Sequence, residues 1–186
     1  MCFDANQLLM AQAGNHAVFV PMTEGQRFHR YLKDAFNPLS LLNSAASAGI
    51  GQWRDLPREW GRGAEGYGRR YASSYAAHIV DETLIFGASS VLHEDNRYVP
   101  SRQYGFGPRI EHALARTFLA RDDHGKRRVS VSRIVGWAGT AFISRAWQPI
   151  GNRNFRSGAI DFGSSMAMAA GFNVAREFLP IISYRR

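Results

Sequence analysis

The sequence predicts an all-α fold of five to six helices packed through seams of Gly, Ala and Ser. Past Thr23, apolar residues recur at the i, i+3, i+4 spacing of one helix face. Strand signals are sparse, with only 17–20 and Val129–Val131 as short candidates. Small residues also recur every fourth position in four of the predicted helices.

Thr23 and Gln26 fit a capping box, which starts the first helix, and Phe28, Tyr31, Leu32, Ala35 and Phe36 form its apolar face. Asn37-Pro38 ends it and opens the second, with Asn as the cap and Pro at the first helical position. That helix runs to about Trp53. The Pro and Gly content of residues 55–63 predicts a loop. The third and longest helix spans about Ala64 to His93, and residues 96–107 are irregular. Pro108 opens a fourth helix to about Leu119, and residues 121–128 form a charged turn. A fifth helix covers about Ser130 to Trp147 and residues 149–156 form a loop. A sixth runs from about Ser157 to Leu179 and stops at Pro180. The reading is one helical domain over 23–183 after an irregular segment, 1–22. That segment lacks the basic start of a signal peptide, and its apolar stretch Leu8 to Ala13 is broken by Gln12.

The chain has 186 residues, 45% of them hydrophobic and 12% aromatic, enough for a packed fold without metals or disulfides. Cys2 is the single cysteine, which excludes an internal disulfide. The net charge is +8, and all of the 23 basic residues except Lys33 and Lys126 are Arg. Guanidinium groups bind phosphates and carboxylates bidentately, which suits an anionic partner. The uncharged run Pro38–Trp53 has 16 residues and carries Asn43, Gln52 and several Ser and Gly, so it fails as a conventional membrane span on length and polarity.

The sixth helix places Ala159, Gly163, Ala167, Gly171 and Ala175 on one ridge. The fifth repeats the pattern with Ser132, Gly136, Thr140 and Ser144, the second with Ser40, Ser44 and Ala48, and the third with Gly68, Ala72 and Ala76. A helical Gly costs about 1 kcal/mol relative to Ala, a cost usually offset by close backbone approach. Gly136, Gly163, Ala167 and Gly171 are therefore the expected packing residues. Such seams serve in lipid and in water alike. Trp53, Arg54, Arg145 and Trp147 lie at helix ends, where interfacial aromatics and snorkelling Arg belong. Asp81 and Glu82 stand mid-helix, a costly place in lipid unless paired.

His78 and Glu82 share a helix face, and with His93 they form a candidate metal site, against the alternative of surface ion pairing. Glu111-His112 point about 100° apart and need partners from elsewhere for acid–base work. Gly61-x-Gly63-x-x-Gly66 spells a dinucleotide fingerprint but follows no strand, so it reads as a flexible lead into the third helix. No nucleophile motif is present, and no cofactor is implied. Arg54, Arg58, Arg62, Arg69 and Arg70 are interleaved with Trp53, Trp60, Tyr67 and Tyr71. This segment, 53–71, suits an anionic membrane surface, with nucleic acid as the alternative partner.

Three runs resemble a group of bacterial helical proteins of envelope type to which no activity is attached. They are Phe28-His29-Arg30-Tyr31-Leu32, the run Pro57-Arg58-Glu59-Trp60-Gly61-Arg62-Gly63 continuing through Gly66-Tyr67-Gly68-Arg69-Arg70, and Leu92-His93-Glu94-Asp95-Asn96-Arg97-Tyr98. Ser132-Arg133, Ser144-Arg145, Trp147 and Glu177-Phe178 extend the likeness. The resemblance implies an envelope location and transfers no catalytic residue. The expectation is a non-enzymatic, membrane-associated envelope protein that packs against a membrane surface, a membrane protein or a second copy of itself. A soluble bundle with a metal or enzymatic site at His78, Glu82 and His93, and a nucleic-acid binder, are the alternatives.

Overall fold

The computed structural model describes residues 19–101 and 104–178. Within them the chain is all-α, with helices packed together. The helices are α1 (Glu24–Ala35), α2 (Pro38–Trp53), α3 (Ala64–Leu92), α4 (Phe106–Phe118), α5 (Val131–Ile143) and α6 (Phe155–Phe178). α3 lies against α1, α2 and α5, and α6 lies against α4 and α5. The capping box of Thr23 and Gln26 forms, and Asn37 caps α2 ahead of Pro38. The expected stop of α6 at Leu179-Pro180, the end of the 23–183 domain and most of segment 1–22 lie outside the described residues.

Several boundaries differ from the sequence expectation: α4 opens at Phe106, two residues before Pro108, and α6 at Phe155, two before Ser157. The charged turn is a β-hairpin, with β1 (Leu119–Arg121) antiparallel to β2 (Arg127–Val129). Asp122 shapes its turn by accepting from the backbone N–H of His124 and Lys126 at 3.0 and 2.9 Å and from Arg128 at 2.5 Å. α5 ends at Ile143, and a 3-10 turn carries the chain through Ser144–Ala146.

The small-residue seams divide. On α2, Ser40, Ser44 and Ala48 are the buried residues, and on α5 Ser132, Gly136 and Ala141 are buried along with Trp137. A Cβ at Gly136 would lie 2.4 Å from Ile85 Cγ1 and 2.8 Å from Asp81 Oδ1, so α5 and α3 meet with no room for a side chain. The α6 ridge does the reverse of what the spacing predicts. Gly163, Ala167 and Gly171 are exposed, and a Cβ at either glycine would meet nothing within 4 Å. α6 buries Gly158, Asn173 and Glu177 instead, and a Cβ at Gly158 would strike the Phe142 ring. Spacing identifies a ridge, but only the neighbours decide which ridge turns inward.

The interior is polar. Buried apolar residues are Ala35, Ala48, Tyr98, Ala113, Ala120, Trp137 and Ala141, and no Leu, Ile, Val, Phe or Met is buried among the described residues. Hydrogen-bonded charges fill the space. Glu94 accepts from the backbone N–H of Val131 and Ser132 at 3.0 and 2.9 Å and from the Ser132 hydroxyl at 2.6 Å, which caps the start of α5. Arg27 donates to the carbonyls of Ser89 and Glu94 at the end of α3. Arg133 donates to the carbonyls of Asn96, Arg116 and Thr117. Glu177 accepts from the Tyr98 hydroxyl at 2.5 Å and the Ser101 N–H at 2.8 Å. The Leu92–Tyr98 run is thus a joint between helices.

The two glycine environments give a paired test. Gly136→Leu should destabilise the fold by about 1–3 kcal/mol or prevent folding through overpacking. Gly171→Leu should hold the melting temperature or raise it by about 2–4 °C, because the residue is open and Leu favours the helix more than Gly. Thermal unfolding followed by circular dichroism checks both.

Candidate functional site

One end of the molecule brings two loops together. The first loop joins α2 to α3 and is held by Arg70, which is 4% exposed. Arg70 Nε donates to the Leu56 carbonyl at 2.8 Å. Its Nη1 donates to Gln52 Oε1 and the Gly61 carbonyl, both at 2.6 Å, and its Nη2 to the Pro57 carbonyl at 2.8 Å. Arg70 is therefore removed from the expected anion-binding set, because its donors are committed to the loop backbone. The glycine motif is equally structural. Gly61 has φ +70°, and a Cβ on Gly66 would lie 2.4 and 2.5 Å from the carbonyl oxygens of Gly61 and Trp60. The motif lets the loop cross the first turn of α3, so the expectation of a flexible lead gives way to a clamped one.

The other four arginines of the set are exposed. Arg62 pairs with Asp55 at 3.2 Å and Arg69 with Glu65 at 2.5 Å. The side chains of Arg54 and Arg58 have no hydrogen-bond or ion-pair partner among the described residues.

The second loop, residues 147–156, comes from the other half of the sequence. Trp147 Nε1 and Gln148 Nε2 both donate to Ser73 Oγ at 3.0 Å, using both acceptor sites of the hydroxyl. Arg145 donates to the Asn152 carbonyl at 3.1 Å and also pairs with Asp161. A Cβ at Gly151 would sit 3.0 Å from Glu59 Oε1, so the two loops abut. Between them lies an open groove of about 450 Å³ with Trp60 and Trp147 as walls, Arg69 at its edge and Ala72, Ser73 and Ala76 as its floor. The small residues of α3 thus floor a groove rather than seat a helix. Sequence reasoning gave a loop at 149–156 but did not bring it to this site; Arg153, Phe155 and Arg156 repeat the basic-aromatic character of the first loop, but nothing in the spacing joins segments so far apart.

The candidate metal residues do not converge. His78 Nε2 lies 3.2 Å from the carbonyl oxygen of Asp34. His93 closes α3 at φ 53°, and its Nδ1 faces Asp123 at 3.3 Å. His78 and His93 are four helical turns apart, about 22 Å along the axis. Among the described residues no group of three or more His, Cys, Asp or Glu could hold a metal ion. This corrects the His78, Glu82 and His93 expectation: same-face spacing covers His78 and Glu82 but not the helix terminus. His112 contacts the Val99 carbonyl at 2.9 Å through Nε2, and Glu111 is exposed.

No family model, curated protein or solved structure matches the chain. The functional reading therefore rests on geometry, charge and exposure.

Asp81 and Glu82 lie in the middle of α3. Burial pushes the Asp81 carboxyl up to about 7. Burial, with the charges of Asp34 and Asp81, pushes Glu82 up to about 8. Arg133, facing Glu82 from α5, is lowered to about 10 by burial, with Arg30 and Arg116 adding to it. The sign of the stability effect follows. Both carboxyls hold a proton more tightly when folded than at their ordinary values of 3.8 and 4.5. Their favourable contribution is full below about pH 4 and is lost as pH rises through 7 to 8. Urea unfolding midpoints of the parent should fall over that window relative to an Asp81→Asn, Glu82→Gln variant, and the gap should stop changing above about pH 9.

Proposed function

We propose that the chain is a non-enzymatic component of a bacterial envelope that works by docking its apolar exterior on a membrane surface or a membrane partner. The observation that carries this reading is the reversed distribution of side chains. Large apolar groups are exposed along α2 (Leu39, Leu42, Ile50 and Trp53), along α5 (Ile134, Val135 and Phe142) and along α6 (Ile160 and Met168). The buried positions are mostly small or polar, with Tyr98 and Trp137 the large aromatic exceptions. A helix that faces water normally shows the opposite order. Large apolar groups exposed on three helices suit contact with a partner or a membrane surface.

Among the described residues no helix is long and apolar enough to cross a membrane, so the contact proposed is along the surface or against another protein. A second copy of the chain is the other partner with specific support. The open ridge of Gly163, Ala167 and Gly171, flanked by Ile160 and Met168, allows another helix to approach closely.

Fractionation of the native protein tests the proposal. The expected result is sedimentation with membranes, resistance to a high-salt wash and release by mild detergent. A protein found in the soluble fraction from the first spin overturns the reading.

A further inference from the structure

The exposed side chains at the two-loop end form a surface that the separate loops do not. Trp53 and Ile150 are each 85% exposed, Phe155 is 78% exposed and Leu56 is 49% exposed. Around them stand the exposed cations Arg54, Arg58, Arg62, Arg69, Arg153 and Arg156. Asp55 and Glu65 are taken up by Arg62 and Arg69. That leaves four arginines (54, 58, 153 and 156) against one carboxylate, Glu59, a local excess of three positive charges.

We infer that this end is a membrane-docking tip that seats on anionic phospholipid, with Trp53, Ile150 and Phe155 entering the interface and Arg54, Arg58, Arg153 and Arg156 meeting headgroup phosphates. The inference rests on the membrane reading above and names the surface and the lipid class. Interfacial Trp and Phe next to Arg is the arrangement that the headgroup region favours, since the rings are amphipathic or apolar and the guanidinium finds phosphate. The tip is also preorganised. Arg70 clamps the first loop through four hydrogen bonds. Arg145 holds the second through the Asn152 carbonyl. Asn154 caps α6 by accepting from the Ser157 N–H at 2.8 Å. Clamped loops present their apolar tips with little ordering left to lose on binding. Trp53 and Phe155 can stack on bases, but Ile150 and Leu56 beside them offer nothing for a base to stack on or pair with, so nucleic acid is the less favoured ligand for the same surface.

The test is flotation of the full chain with vesicles of phosphatidylcholine alone and of phosphatidylcholine mixed equally with phosphatidylglycerol. The parent should float with the anionic vesicles and much less with the neutral ones. Arg54→Gln with Arg58→Gln should lower partitioning about twenty-five-fold, near fivefold for each cation removed. Trp53→Ser, Ile150→Ser and Phe155→Ser together should abolish flotation at physiological salt. All five positions are exposed, and circular dichroism checks that the variants keep the parent fold. Flotation unchanged in both variants overturns the tip while leaving the membrane reading standing. A parent that floats with neither vesicle, yet sediments with native membranes, also overturns the tip and points to a protein partner. A parent that does neither overturns both. Retention of the parent on duplex DNA or RNA that the arginine pair alone abolishes, without vesicle binding, reassigns the surface to nucleic acid.

Discussion

The buried Glu94 carboxylate ties the end of α3 to the start of α5. One oxygen takes the Val131 N–H; the other takes the Ser132 N–H and hydroxyl. The backbone carbonyl of the same residue accepts from Arg27 on α1 at 2.5 Å. Next to it, the Asp95 backbone pairs with Arg121 on the hairpin in both directions, at 2.7 and 3.0 Å. Four elements thus meet over two residues. A carboxylate at a helix N-terminus is favoured by the free N–H groups and by the helix dipole, and burial strengthens both effects.

This polar joint sits at one end of a close helix contact. Gly136 and Gly139 of α5 lack side chains where Ile85 and Leu84 of α3 lie against the α5 backbone, so the space is filled from α3 alone. Other large apolar groups turn outward or stay half-buried, and loops near the interior are held by arginine-to-carbonyl hydrogen bonds. Arg27, Arg70 and Arg133 each donate to two or more backbone carbonyls at helix ends and in loops. The arginine content that suggested an anionic partner is partly spent inside the protein. What remains outside is concentrated at the end where two clamped loops meet.

Local signals in the sequence were readable because their physics is local. The Thr23 capping box, the Asn37-Pro38 start of α2 and the loop over 55–63 needed only neighbouring residues, and each matches the structure. The α5 seam at Gly136 was also legible, since a glycine kept on a small-residue face has few other uses. The α6 ridge has the same spacing and faces outward, because Asn173 and Glu177, on another face, found partners in Thr117 and Tyr98. Residues so distant in sequence leave no periodic trace. The hairpin was hidden for a different reason: its strands are three residues each, so Leu119 read as the end of a helix and Arg127–Arg128 as part of a charged turn. Within the candidate site, the segment 53–71 was legible from its Arg and aromatic content and the loop over 149–156 from its Pro and Gly, but that the two lie side by side was not.

The most direct measurement of this account is the unfolding free energy of Glu94→Ala. If polar joints rather than apolar burial hold the interior, the substitution should cost about 3 kcal/mol or more, from the lost cap and the hydroxyl and N–H groups left buried without an acceptor. A loss below about 0.5 kcal/mol, the size expected for a surface change, would contradict it.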